Sequence, residues 1–141
     1  MNYLRIVLAG LAGTVAYFAL GGLLFGLAPQ LRDAFRKYPA VYRDQEGIKS
    51  VMPLGMAAMF LSIVVLAAIY SLAYRGGPSL WEGARFGFLI GLFALGAFVL
   101  HNYVNLNIGL ALTGQQAIAY MLEWLVVGVV IGLVYRPPAI P

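Results

Sequence analysis

The chain contains no cysteine and one histidine, and only 10% of its 141 residues are charged. Each scarcity closes off a class of chemistry. Without cysteine there is no disulfide framework, no thiolate nucleophile and no sulfur-ligated metal cluster. The acidic residues are Asp33, Asp44, Glu46, Glu82 and Glu123. Within the apolar stretches only His101 and Glu123 offer metal-ligand chemistry, too few for a three-ligand metal hydrolase. No catalytic group and no metal site is therefore predicted, and the reading leans away from an enzyme while leaving that question open. No cofactor is predicted either; the alternative is a haem held through His101, one axial ligand per chain. Nine cations against five acids give a net charge of +4. They form no patterned basic patch, so no nucleic-acid partner is expected.

What the chain does have is apolar surface, with 62% of its residues hydrophobic. A soluble domain of this size has too little interior to bury that fraction. The expected solvent is a lipid bilayer. Four stretches are long enough to cross it, at about 4–27, 51–74, 82–105 and 116–135. About 20 helical residues span roughly 30 Å of hydrocarbon. Lipid satisfies no backbone N–H or C=O group, so the segments must be helices, and they lack the alternation of barrel strands. The first stretch is too long for the apolar region of a signal peptide and is read as a span. The expected fold is an all-α four-helix transmembrane bundle, one domain over 1–141.

Turn chemistry and aromatic residues agree with four crossings. Tyr3, Tyr70, Tyr74, Trp81 and Tyr135 gather at one membrane face, and Tyr38, Tyr42, Tyr103, Tyr120 and Trp124 at or near the other. Pro53 is expected in the first turn of the second span, where its missing donor costs nothing. Gly76-Gly77-Pro78 closes the second connection, and Pro137 and Pro138 end the fourth helix. In the first connection Leu31, Phe35 and Tyr38 recur at helical spacing, with Arg32, Asp33, Arg36 and Lys37 opposite. A short amphipathic helix over about 30–38, lying at the membrane surface through Arg32, Arg36 and Lys37, is the reading. The first connection also carries Arg43 and Lys49, whereas the other face holds Arg5, Arg75, Arg85 and Arg136. The clustering favours a cytoplasmic first connection, although the near balance leaves insertion both ways open.

Phe18-Ala19-Leu20-Gly21-Gly22 echoes Phe93-Ala94-Leu95-Gly96-Ala97, and Leu72-Ala73-Tyr74-Arg75 echoes Leu133-Val134-Tyr135-Arg136. Two duplicated helical hairpins would produce that pattern. Gly83, Gly87 and Gly91 form a flat strip on the third span, and Gly128 and Gly132 one on the fourth. Such strips let backbones approach closely, which matters where no hydrophobic drive acts between helices. They serve either the bundle's own packing or a dimer.

The third span ends HNYVNLNIG (101–109), where His101 and Asn105 share a helix face with Asn102 beside it. Glu123 lies about seven residues inside the expected start of the fourth span, roughly 10 Å deep. The hairpin is expected to bring it level with His101. A carboxylate at the bilayer centre costs roughly 2.5–3.5 kcal/mol, so it needs a partner, a proton or a function. His101, Asn102, Asn105 and Glu123 are the candidate ligand or ion site, either a hydrogen-bonded clasp or a polar cavity for an ion, a proton or a headgroup.

The layout resembles small bacterial four-helix integral membrane proteins of about this length, collected in families of unknown function. The resemblance is carried by GGLLFG (21–26), by GARFGFLIG (83–91) running into HNYVNLNIG, and by EWLVVGVVIG (123–132). It implies a multi-pass protein of the bacterial inner membrane and assigns no catalytic residue. In size and helix count the chain also looks like a small multidrug transporter, but the acidic residue those carry in helix 1 is missing. The functional expectation is a helix-packing partner or lipid-interacting accessory subunit, working as a homo-oligomer or inside a larger membrane complex. The alternative is a minimal transporter or channel built on His101, Asn105 and Glu123.

Overall fold

The computed structural model describes residues 2–27 and 29–136, with positions 29–31 described in backbone only. Pro137 and Pro138 lie outside the described residues. The described chain is all-α: α1 (Tyr3–Leu27), α2 (Pro29–Arg36), α3 (Gln45–Ala73), α4 (Ser79–Asn105) and α5 (Leu110–Tyr135). Helices α1, α3, α4 and α5 are each long and apolar enough to cross a membrane, the build of a polytopic membrane protein.

Two spans start earlier than composition suggests. α3 begins at Gln45 because Asp44 caps it, its carboxylate accepting from Gly47 N at 2.7 Å. Capping satisfies a backbone donor that is otherwise orphaned, so helix extends through polar residues that hydropathy excludes. Pro53 consequently lies inside α3 rather than in its first turn. α5 begins at Leu110, after the extended Gly109, and takes in Thr113, Gln115 and Gln116. Thr113 Oγ1 donates to Gly109 O at 3.2 Å, so its hydroxyl is satisfied within the helix.

The long helices lie in the order α3, α1, α5, α4, each packed on the next. α5 is central. Ile131 and Val127 are buried at the point where α1, α3 and α5 meet, with Ile63, Ala67 and Ala9. Close approach is built on glycine. A Cβ at Gly13 would sit 2.8 Å from Ile63 Cγ2, and one at Gly83 would sit 2.6 Å from Gly128 O. The α4 strip Gly83, Gly87 and Gly91 is thus occupied inside the bundle, against Gly128, Trp124 and Met121 of α5. α3 and α4 meet where the Tyr70 and Phe86 rings cross edge to face at 5.3 Å, and share little else among the described residues. A two-fold relation between the hairpins would pair α3 with α4 as closely as α1 with α5, and the packing has no such symmetry.

The two connections on one membrane face are tied together. Tyr38 Oη accepts from Gly109 N at 2.9 Å, and Tyr42 Oη accepts from Gln116 Nε2 at 3.2 Å. Any Cβ at position 109 would crowd the Tyr38 hydroxyl, which accounts for the glycine. Phe35 of α2 stacks on Phe25 at 5.6 Å and meets Tyr42 edge-on at 4.8 Å, while Arg32, Arg36 and Lys37 stay exposed. Arg36 pairs with Asp33 at 3.6 Å, a surface contact worth at most about 1 kcal/mol.

Candidate intramembrane carboxylate site

Glu123 is buried, with 7% of its surface accessible. It lies thirteen residues from Leu110 and twelve from Tyr135, the middle of the span rather than a third of the way in. The expected depth of roughly 10 Å assumed a helix starting near Gln116. The earlier start moves the carboxylate to the level where an ionised group is most expensive.

The structure does not bring Glu123 and His101 together. Gly83 opposite Gly128, Gly87 opposite Trp124 and Gly91 opposite Met121 set the α4–α5 register. That register puts Glu123 level with Phe88, thirteen residues before His101, or roughly 20 Å along the axis at 1.5 Å per residue. Rotation adds to the separation. The buried stripe of α4 runs Gly83, Gly87, Gly91, Ala94 and then Val99, slipping by one at the π-helical stretch Leu95–Leu100. A π segment inserts a residue into the turn and rotates everything beyond it. Beyond the slip, Asn102 is half-buried while His101 and Asn105 are exposed. Asn105 Nδ2 donates to His101 O at 3.0 Å, so the amide caps its own helix instead of reaching α5.

Glu123 instead faces α1. A Cβ at Gly21 would lie 3.2 Å from Glu123 Oε1, so the missing side chain makes room for the carboxylate. Tyr17, one turn before Gly21, turns its hydroxyl toward Glu123, and Tyr120, one turn before Glu123 on α5, faces the same carboxylate. The Tyr17 ring also packs on Trp124 at 5.6 Å, and the buried Trp124 Nε1 has no partner among the described residues. One turn before Tyr120, Gln116 donates to the Tyr42 hydroxyl at 3.2 Å. Polar groups therefore lead from Glu123 toward the α2 face. In the opposite direction the buried neighbours are Val127, Ile131, Ile63 and Ala67, all apolar.

Sequence reasoning missed Tyr17, Gly21 and Tyr120 as neighbours of Glu123. No signal in the sequence separates Gly21 from the other α1 glycines, although its absent side chain is what leaves space for the carboxylate.

A recess of about 420 Å³ lies at the α2 face between α2 and the start of α5. Asp33, Lys37 and Gln115 supply its polar lining, and Gln115 Oε1 is buried without a partner among the described residues. Another, about 180 Å³, opens at the other face in the seam between α3 and α4.

Comparison with family models, curated proteins and solved structures gives no match. What stands is the class: an all-α protein of four long apolar helices, with no family identified.

Proposed function

We propose that this chain is a binding component of a bacterial inner membrane, acting on lipid or on a partner's helices as a homo-oligomer or accessory subunit. The observation that carries this is the bareness of α3. Only 11% of its apolar stretch is buried inside the protein, against 33% for α5. Leu54, Leu61, Val65 and Leu72 point outward, and the seam toward α4 is open. Association of apolar helices in lipid is driven by packing of free faces where small residues let backbones approach closely. Gly22 and Gly26, four apart on α1, have nothing within 4 Å, unlike the strips of α4 and α5. Arg32, Arg36 and Lys37 hold α2 against anionic headgroups.

Extraction in mild detergent, followed by native mass spectrometry, tests this reading. A defined oligomer, a stoichiometric companion or retained lipid is expected. A bare monomer contradicts it.

A second reading is a minimal transporter, and the mid-span burial of Glu123 favours it. Its site is then Glu123 with Tyr17 and Tyr120, reached from the α2 face past Tyr42, while His101 and Asn105 lie outside it. Intramembrane carboxylates mark proton and ion paths by default. The apolar plug of Val127 and Ile131 means that access alternates instead of running straight through.

A further inference from the structure

We infer that the seam between α3 and α4 holds the phosphate of an anionic glycerophospholipid at the face opposite α2. The inference rests on the lipid-binding half of the proposed function and names the ligand. Four observations carry it.

The mouth of the seam has two guanidinium groups. Arg75 follows α3, Arg85 stands on the second turn of α4, and both line the 180 Å³ recess. Neither makes an ion pair among the described residues, although the ion pairs Arg36–Asp33 and Lys49–Glu46 form at the other face. Arginine's planar fork matches a phosphate oxygen pair, and phosphate is the acidic group that occurs at this depth in a bilayer.

Behind the arginines lies an orphaned donor. Tyr70 is 2% exposed, lines the recess, and its hydroxyl has no partner among the described residues. A buried hydroxyl without a partner costs about 1–3 kcal/mol, so one whose wall is a ligand recess points to a ligand acceptor. Tyr74 shows the contrast: its hydroxyl donates to Gly77 O at 2.7 Å.

The remaining walls suit acyl chains. Ala73, Phe86 and Leu89 line the recess, and below the Tyr70–Phe86 crossing the two helices share little contact. A chain can therefore follow the phosphate down the seam. Trp81, 74% exposed on the first turn of α4, marks the headgroup level beside it.

Charge selects the headgroup. Glu82 also lines the recess, with its Oε1 turned to the Gly77 turn, 2.7 Å from where a Cβ would stand. The lining thus carries two cations and one anion. A phosphodiester without an amine neutralises the remainder, whereas a headgroup with its own ammonium leaves it unbalanced.

The test is native mass spectrometry of the purified full chain titrated with phosphatidylglycerol or phosphatidylethanolamine of identical acyl chains. Phosphatidylglycerol should bind at roughly tenfold lower concentration, the order of one uncompensated charge near the protein surface. The double variant Arg75→Gln, Arg85→Gln should erase that preference. Tyr70→Phe, which keeps the ring packing, should weaken binding a few-fold. Lys49→Gln, at the other face and paired with Glu46, should leave the preference unchanged. Equal binding of both lipids, or a preference that survives loss of both arginines, overturns the inference while leaving a lipid-binding protein. Binding of neither lipid removes the inference and the lipid half of the proposed function together.

Discussion

Gly128→Val should cost the bundle about 3 kcal/mol or more, enough to lose the folded state in mild detergent. A Cβ at Gly128 would lie 2.5 Å from Gly87 N and 2.6 Å from Gly83 O, so the obstruction is backbone on the facing helix. Overpacking a well-packed site usually costs about 1–3 kcal/mol because side chains move aside; backbone atoms in a helix have no rotamer to change. α4 must then retreat from α5, and the dispersion contacts along the whole strip weaken together. Gly114→Ala is the matched control. Gly114 has nothing within 4 Å, and alanine is the better helix former, so this variant should be as stable as the parent or slightly more so. Unfolding midpoints in a detergent titration read both. A Gly128→Val protein that unfolds with its parent would mean that α4 and α5 do not approach as described.

Glu123 gives the second large effect, and its sign separates a clasp from a working group. Leucine fills nearly the same volume without the carboxylate. Insertion scales put an ionised carboxylate at mid-span at roughly 2.5–3.5 kcal/mol, and replacing buried ionic groups by apolar ones is often neutral or stabilising. Glu123→Leu should therefore keep or raise the unfolding midpoint, since among the described residues the carboxylate makes no ion pair. Glu123→Gln should abolish proton-coupled flux in liposomes if the chain transports, with the fold intact. A loss of more than about 2 kcal/mol in Glu123→Leu would instead make the carboxylate a structural tie between α1 and α5. Unchanged flux in Glu123→Gln would remove the transporter reading.

The four spans and their turns were legible because hydrophobic length is a direct signal of lipid solvent. Helix ends were less so. Asp44 and Gly109 start α3 and α5 about six residues earlier than the apolar runs, because caps and turns act through hydrogen bonds that hydropathy ignores. That error carried into the site. With α5 starting at Leu110, Glu123 moves to mid-span and away from the level of His101. The π stretch Leu95–Leu100 then rotates His101 and Asn105 off the buried stripe. Nothing in LGAFVL announces that slip, since it reflects how α4 fits against α5 rather than any local preference. The neighbour order α3, α1, α5, α4 was equally hidden. The short connection 106–109 predicts the α4–α5 hairpin, but no sequence pattern says that α1 should pass beside α5 with Gly21 facing Glu123.

The absence of native cysteine makes paired cysteine substitutions clean reporters of that packing. The decisive pairs are Gly21→Cys with Glu123→Cys, and His101→Cys with Glu123→Cys, each treated in membranes with a short thiol cross-linker. The first pair should join in high yield and the second should stay open, about 20 Å apart by helix rise. Joining of the second pair, with the first left open, would contradict the placement of the mid-span carboxylate against α1.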